Sequence, residues 1–158
     1  MKLKDRHAHF WSFTLVAITV LVLVGAAPRL GAHEGATGIV KERQQGMVAF
    51  KKAMKTWKLA LEDPKGPTPE TIDEISTQLS AHAGATLLRL YPKDGPTKHT
   101  DAAPAIWTEW AEFERLANAL ESRASALATV GNDKSVLRSE FKMIGKICKA
   151  CHESFRER

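Results

Sequence analysis

The sequence predicts an all-α domain, an antiparallel up-down-up-down four-helix bundle, and three observations carry that expectation. Apolar residues recur every three or four positions through four separate stretches. No stretch alternates apolar and polar residues in the manner of a half-buried strand. Proline- and glycine-rich segments separate the stretches, each of which is about 20 residues and so about 30 Å long as a helix. Amphipathic helices of equal length joined by turns bury their apolar stripes most simply as a bundle.

The elements follow in order along 158 residues, an ordinary single-domain length with 44% hydrophobic and 26% charged residues. Residues 1–32 read as a secretory signal: "MKLKDRH" is basic, "FWSFTLVAITVLVLVGAA" from Phe10 is apolar, and "APRLGAHE" is small and turn-prone. The apolar run also approaches the length of a membrane span, so an uncleaved anchor is the alternative. Either way residues 33–158 form an exported domain. Removing residues 1–32 takes away Lys2, Lys4, Arg6 and Arg29 against Asp5, so the net charge falls from +5 to +2. With no basic stripe interleaved with aromatics, nucleic-acid binding is set aside.

The first helix is expected from about Ala36 to Leu61, with Ile39, Arg43, Met47, Phe50, Met54, Trp57 and Leu61 on one face. "DPKGPTPE" ends it, because proline and glycine do not continue a helix there. The second starts near Pro69 with Thr68 as N-cap. It carries Ile72, Ile75, Leu79, His82 or Ala83, Thr86, Leu87 and Leu90, and ends at the long loop "YPKDGPTKHTDAAP". The third runs from about Ala105 to Val130 on a stripe of Trp107, Trp110, Phe113, Ala117, Leu120, Ala124 and Leu127. After the tight "GND" connection the fourth spans about Lys134 to Phe155, with Leu137, Phe141, Ile144, Cys148, Cys151 and Phe155 facing one way.

The fourth helix holds both cysteines of the chain in "CKACH". This is the C-x-x-C-H spacing of covalent c-type haem attachment, in which both thiols add to the haem and the histidine ligates iron. On a helix, Cys151 and His152 fall three and four residues after Cys148 and present beside it. A thioredoxin-like pair would open a helix after a strand rather than close one. A structural zinc site wants four ligands, and no second cysteine pair or paired histidine motif exists. A disulfide within one turn closes almost no loop. No Ser/His/Asp order, phosphate loop or isolated acidic pair points to enzyme chemistry, so the expectation is a carrier rather than an enzyme.

With this motif ending a helical bundle, the chain resembles the class II c-type cytochromes, cytochrome c′ and its low-spin relatives. "GKICKACHESFRER" is similar to the family's haem-binding end, "IVKERQQGM" to its first helix, and "APAIWTEWAEF" to the start of its third. The resemblance implies one haem held through Cys148 and Cys151 with His152 as proximal ligand, and export to the periplasm, or to the outer face of a membrane if the N-terminal segment is retained. It places Arg156 beside the proximal face and Arg43 near a haem propionate. Each arginine has the plain alternative of a solvated surface charge.

Met47 matches the position opposite the proximal histidine, where family members either supply a thioether ligand or only block the sixth site. A Met/His pair suits electron transfer, whereas an open iron in an apolar pocket binds small gases such as nitric oxide or carbon monoxide. "LYPKDG" and "APAIW" look more like the low-spin members, which favours Met47 as ligand; the alternative is a core methionine. The partners implied are periplasmic redox proteins or membrane electron-transfer complexes, and a homodimer through the first two helices is common in the family. His82 reads as a core or edge histidine, His33 and His99 receive no role, and Trp57, Trp107 and Trp110 read as packing residues, one of which is a candidate to line the haem.

Overall fold

The computed structural model describes residues 36–95 and 98–157, and the expected export segment, residues 1–32, lies outside the described residues. The first helix, α1, spans Gly38–Glu62. Its buried positions are Val40, Arg43, Gly46, Phe50, Ala53, Trp57 and Leu61, while Ile39, Met47 and Met54 are only partly buried. The inward face is thus rotated slightly from the expected stripe, and small residues at Gly46 and Ala53 let a neighbouring helix approach. The Nδ1 of His82 lies 4.0 Å from where a Cβ on Gly46 would stand.

The second expected helix is interrupted. α2 (Pro69–His82) begins as anticipated, with Thr68 Oγ1 accepting from the Thr71 N–H at 3.2 Å and Pro69 in the first turn. Ala83 then turns extended and Gly84 takes φ +51 before a short helix, α3 (Gly84–Leu88). A Cβ on Gly84 would overlap the Glu121 carboxylate, so glycine supplies both the backbone angle and the space. The third expected helix is broken as well, into α4 (Ala105–Thr108) and α5 (Trp110–Val130), with Glu109 at φ −119, ψ 39 between them. Gly131 at φ +74 makes the "GND" turn, and Asp133 caps α6 (Lys134–Phe155) by accepting from the N–H groups of Ser135 and Val136 at 2.8 and 3.2 Å.

The long helices close a ring, α1 against α2, α2 against α5, α5 against α6 and α6 back against α1, the arrangement of an antiparallel four-helix bundle. One apolar cluster fills the end where α1 terminates and α6 begins, and it includes Trp57, Leu79, Leu127, Leu137 and Ile144, all with essentially no exposed surface. Each such aliphatic side chain stabilises the fold by about 1.5–3 kcal/mol relative to exposure. Trp57 packs edge-on against Phe141 at 5.3 Å, and its indole N–H is buried with no hydrogen-bond partner among the described residues.

A second cluster gathers Leu87, Tyr91, Ile106, Phe113, Leu116 and Phe155 at the other end, with Phe113 at the centre of edge contacts to Tyr91 (5.0 Å) and Phe155 (5.3 Å). Met47 and Ile147 pack against both clusters and so mark the seam between them. Among the described residues no helix is long and apolar enough to cross a membrane.

Candidate haem site

The seam is where the sequence motif arrives. Ile144, Cys148 and Cys151 lie on the apolar face of α6, and the two free thiols are half-buried on opposite sides of the seam. Cys148 packs against the first cluster and Cys151 against the second. Burial raises the titration of both thiols, that of Cys151 to about 11 with a smaller contribution from Cys148. Redox-active Cys-x-x-C pairs have the opposite character, because the positive end of a helix lowers their pKa. These thiols sit in the final turns of a helix, at its negative end, and stay protonated.

His152 follows on the solvent side. Its ring lines a cavity of ≈ 540 Å³ together with Asp101, Lys149, Glu153, Arg156 and Glu157. The cavity wall desolvates the imidazole and the Arg156 charge acts in the same direction, so its pKa falls below the usual histidine value. Both effects favour the neutral ring, which is the form that ligates a metal.

Arg156 lies just past the end of α6, in extended backbone rather than in a further helical turn, because the chain leaves the helix to pair with residues 101–103. The Ala103 N–H donates to Phe155 O at 3.0 Å and the Glu157 N–H to Asp101 O at 2.8 Å. The Arg156 guanidinium then reaches Asp101 at 3.1 Å. It thus lines the same cavity as His152 as an exposed, paired cation.

Arg43 behaves differently. It is buried, its Nε donates to Leu90 O at 2.7 Å, and its guanidinium lies over the Tyr91 ring at 4.4 Å. A Cβ on Gly95 would come within 3.0 Å of its Nη2, so the loop after Tyr91 wraps closely around it. Desolvation lowers the pKa of the guanidinium, and burial pushes the Tyr91 phenol up to about 12. Met47, one turn after Arg43 on the same helix, sits in the seam, whereas His152 stands at the outer cavity.

Tyr91 and Asp101 escaped the sequence reading. The cue for the first was a lone tyrosine beside a proline at a helix end, and nothing local marked the second. His82 is a half-buried edge residue against Phe50, at 6.1 Å. Trp107 anchors the loop by donating to Pro92 O at 2.9 Å. Trp57 belongs to the core, and His99, at φ 58, accepts at its carbonyl from Gln44 at 3.3 Å. Among the described residues no group of three or more His, Cys, Asp or Glu side chains forms a cage for a metal ion.

The donor set fits a haem. Two protonated thiols share one helix face, a neutral imidazole follows the second, and an apolar seam containing a thioether lies between the helices that carry them. A four-helix bundle with this attachment motif defines a bundle-type c cytochrome, a protein that holds one haem covalently. The sequence profile described as Cytochrome C′ matches residues 38–156, and the chain belongs to that family.

Relatives agree. Cytochrome c-554 of Cereibacter sphaeroides is 29% identical over 93 residues, 56% of this chain and 61% of that protein, so the chain matches less than two thirds of this relative's length. Cytochrome c′ of Alcaligenes xylosoxydans xylosoxydans is 38% identical over 68 residues, 40% of this chain and 53% of the relative. Among solved structures, cytochrome c′ from Thermochromatium tepidum superposes with a TM-score of 0.66 at 25% identity, over 76% of this chain and 95% of that one.

Proposed function

We propose that this cytochrome is a periplasmic carrier of single electrons whose haem iron is ligated by His152 and Met47. When bound, haem supplies an iron that cycles between the ferric and ferrous states. Cys148 and Cys151 would tether it from the two sides of the seam, and His152 would offer a neutral nitrogen. The observation that carries the reading is the placement of Met47: its side chain, like that of Ile147, the residue before Cys148, packs against both clusters. A thioether there shares the seam with the attachment thiols. Arg43 and Arg156 contribute a buried and an exposed cation, suited to a haem carboxylate and to the proximal side respectively.

The apolar surroundings of Met47 also support a second reading, in which Met47 only lines the seam and an open iron binds nitric oxide or carbon monoxide. The visible spectrum of the purified holoprotein separates the two. Electron carriage requires a low-spin spectrum that carbon monoxide leaves unchanged, and conversion to high spin in Met47→Ala. A high-spin spectrum that shifts with the gas would replace the first reading with the second. Sequencing the mature N-terminus tests export, with cleavage near Ala32 expected.

A further inference from the structure

The small net charge of the exported domain hides a strongly polarised molecule. On the outer faces of α1 and α6, Lys41, Lys51, Lys52, Lys55, Lys142 and Lys146 are exposed, and none has an ion-pair partner among the described residues. Lys51 with Lys55, and Lys142 with Lys146, are like charges one turn apart, an arrangement that weakens a helix. Stability therefore does not account for them. α2, the other neighbour of α1 in the bundle, carries Glu70, Asp73 and Glu74 and no lysine or arginine.

The two basic faces are also in register. Arg138 of α6 donates to Leu61 O of α1 at 3.1 Å, and Lys134 to Asp63 O at 2.6 Å. From Arg138 the four-residue spacing continues through Lys142 and Lys146, alongside α1 and toward Cys148. The stripe ends with Lys146 and Lys149 flanking the attachment cysteine in sequence. Val48 and Leu59, two large hydrophobics that are 65% and 56% exposed, stand among the α1 lysines, one turn before Lys52 and one turn after Lys55.

We infer that the joined outer face of α1 and α6 is the docking surface for an acidic protein redox partner, an inference that rests on the electron-carrier reading above. Charge complementarity selects the partner and speeds encounter, while Val48 and Leu59, exposed at either end of the α1 lysines, add apolar contact area suited to the brief contact that electron transfer needs. A second copy docking through this same α1–α6 face would present the same lysines and be repelled. A lipid surface is the poorer fit, since this face offers no tryptophan or phenylalanine to insert.

The test uses the holoprotein and two variants of equal net charge: Lys51→Gln with Lys55→Gln on the basic face, and Thr77→Glu with Ala81→Glu on α2. Binding to poly-L-glutamate is followed by calorimetry, and oxidation by hexacyanoferrate(III) by stopped flow across ionic strength. We expect about a fivefold or larger loss of affinity and rate at low salt in the lysine variant, little change in the α2 variant, and convergence at high salt.

Equal losses in both variants would show that only net charge matters and would overturn the proposal. So would binding to phosphatidylglycerol vesicles without binding to poly-L-glutamate, or a stable dimer that masks the lysines. Poly-L-glutamate binding does not involve the iron, so the two readings fail separately. A gas-sensitive spectrum with face-specific binding removes electron carriage, and a low-spin spectrum with face-indifferent binding removes the docking surface.

Discussion

The two ends of the bundle are built differently. At the end where α1 stops and α6 starts, helices run to side-chain caps and terminal turns, with Thr68 and Asp133 holding free N–H groups over a cluster of aliphatic side chains. At the other end both middle helices are broken, at Ala83–Gly84 and at Glu109, and the chain spends its polar groups on tying loops down. Arg43 binds Leu90 O, Trp107 binds Pro92 O, and Arg156 binds Asp101. Regular packing holds the first end. The second gives up regularity where the haem motif sits, and recovers stability through a few long-range hydrogen bonds.

That contrast can be tested most severely at the motif. Replacing Cys148 and Cys151 together by alanine should abolish haem that survives denaturing electrophoresis, while the aliphatic end still gives a helical spectrum; covalent haem in the variant would end the attachment reading. Next comes Arg43→Leu, which leaves Leu90 O without its donor and should cost about 1–3 kcal/mol in chemical denaturation. Gly84→Ala should cost a similar amount. Part comes from the positive φ and part from Glu121, so adding Glu121→Ser should recover only the second part.

At the regular end the effects are smaller. Thr68→Ala should cost about 1 kcal/mol through the lost cap. Asp133 adds a pH signature: its carboxyl is held below the usual aspartate value, first by the Ser135 side chain and then by the Val136 and Ser135 N–H groups. Its contribution is full above the unfolded value of 3.8 and disappears as pH falls through the lower folded value. Asp133→Ala should therefore destabilise at neutral pH and match the parent in strong acid.

Legibility in the sequence followed the same division. The ends of α6, the Thr68 cap and the Pro69 start could be read, because periodicity and capping chemistry are local. The break at Gly84 was written in the sequence as a glycine inside an apolar stripe, but its reason, Glu121, lies on another helix. Glu109 carries no breaking signal at all. The attachment motif could be read because its spacing is itself the geometry. That Arg43 is buried and Arg156 exposed could not be read, since what separates them is Leu90 O and Tyr91 on one side and Asp101 on the other, each dozens of residues away.

The short antiparallel bridge between Ala102 and Arg156 has one more effect. Helix ends ordinarily fray, and their amides exchange with solvent before those of the interior. Here the Ala103 and Glu157 amides are locked on either side of the helix terminus, so the last turn, with His152 in it, should exchange slowly. A donor on a stapled terminus shifts little when the charge beside it changes. Two backbone hydrogen bonds, rather than the core, thus hold the helix terminus that carries His152.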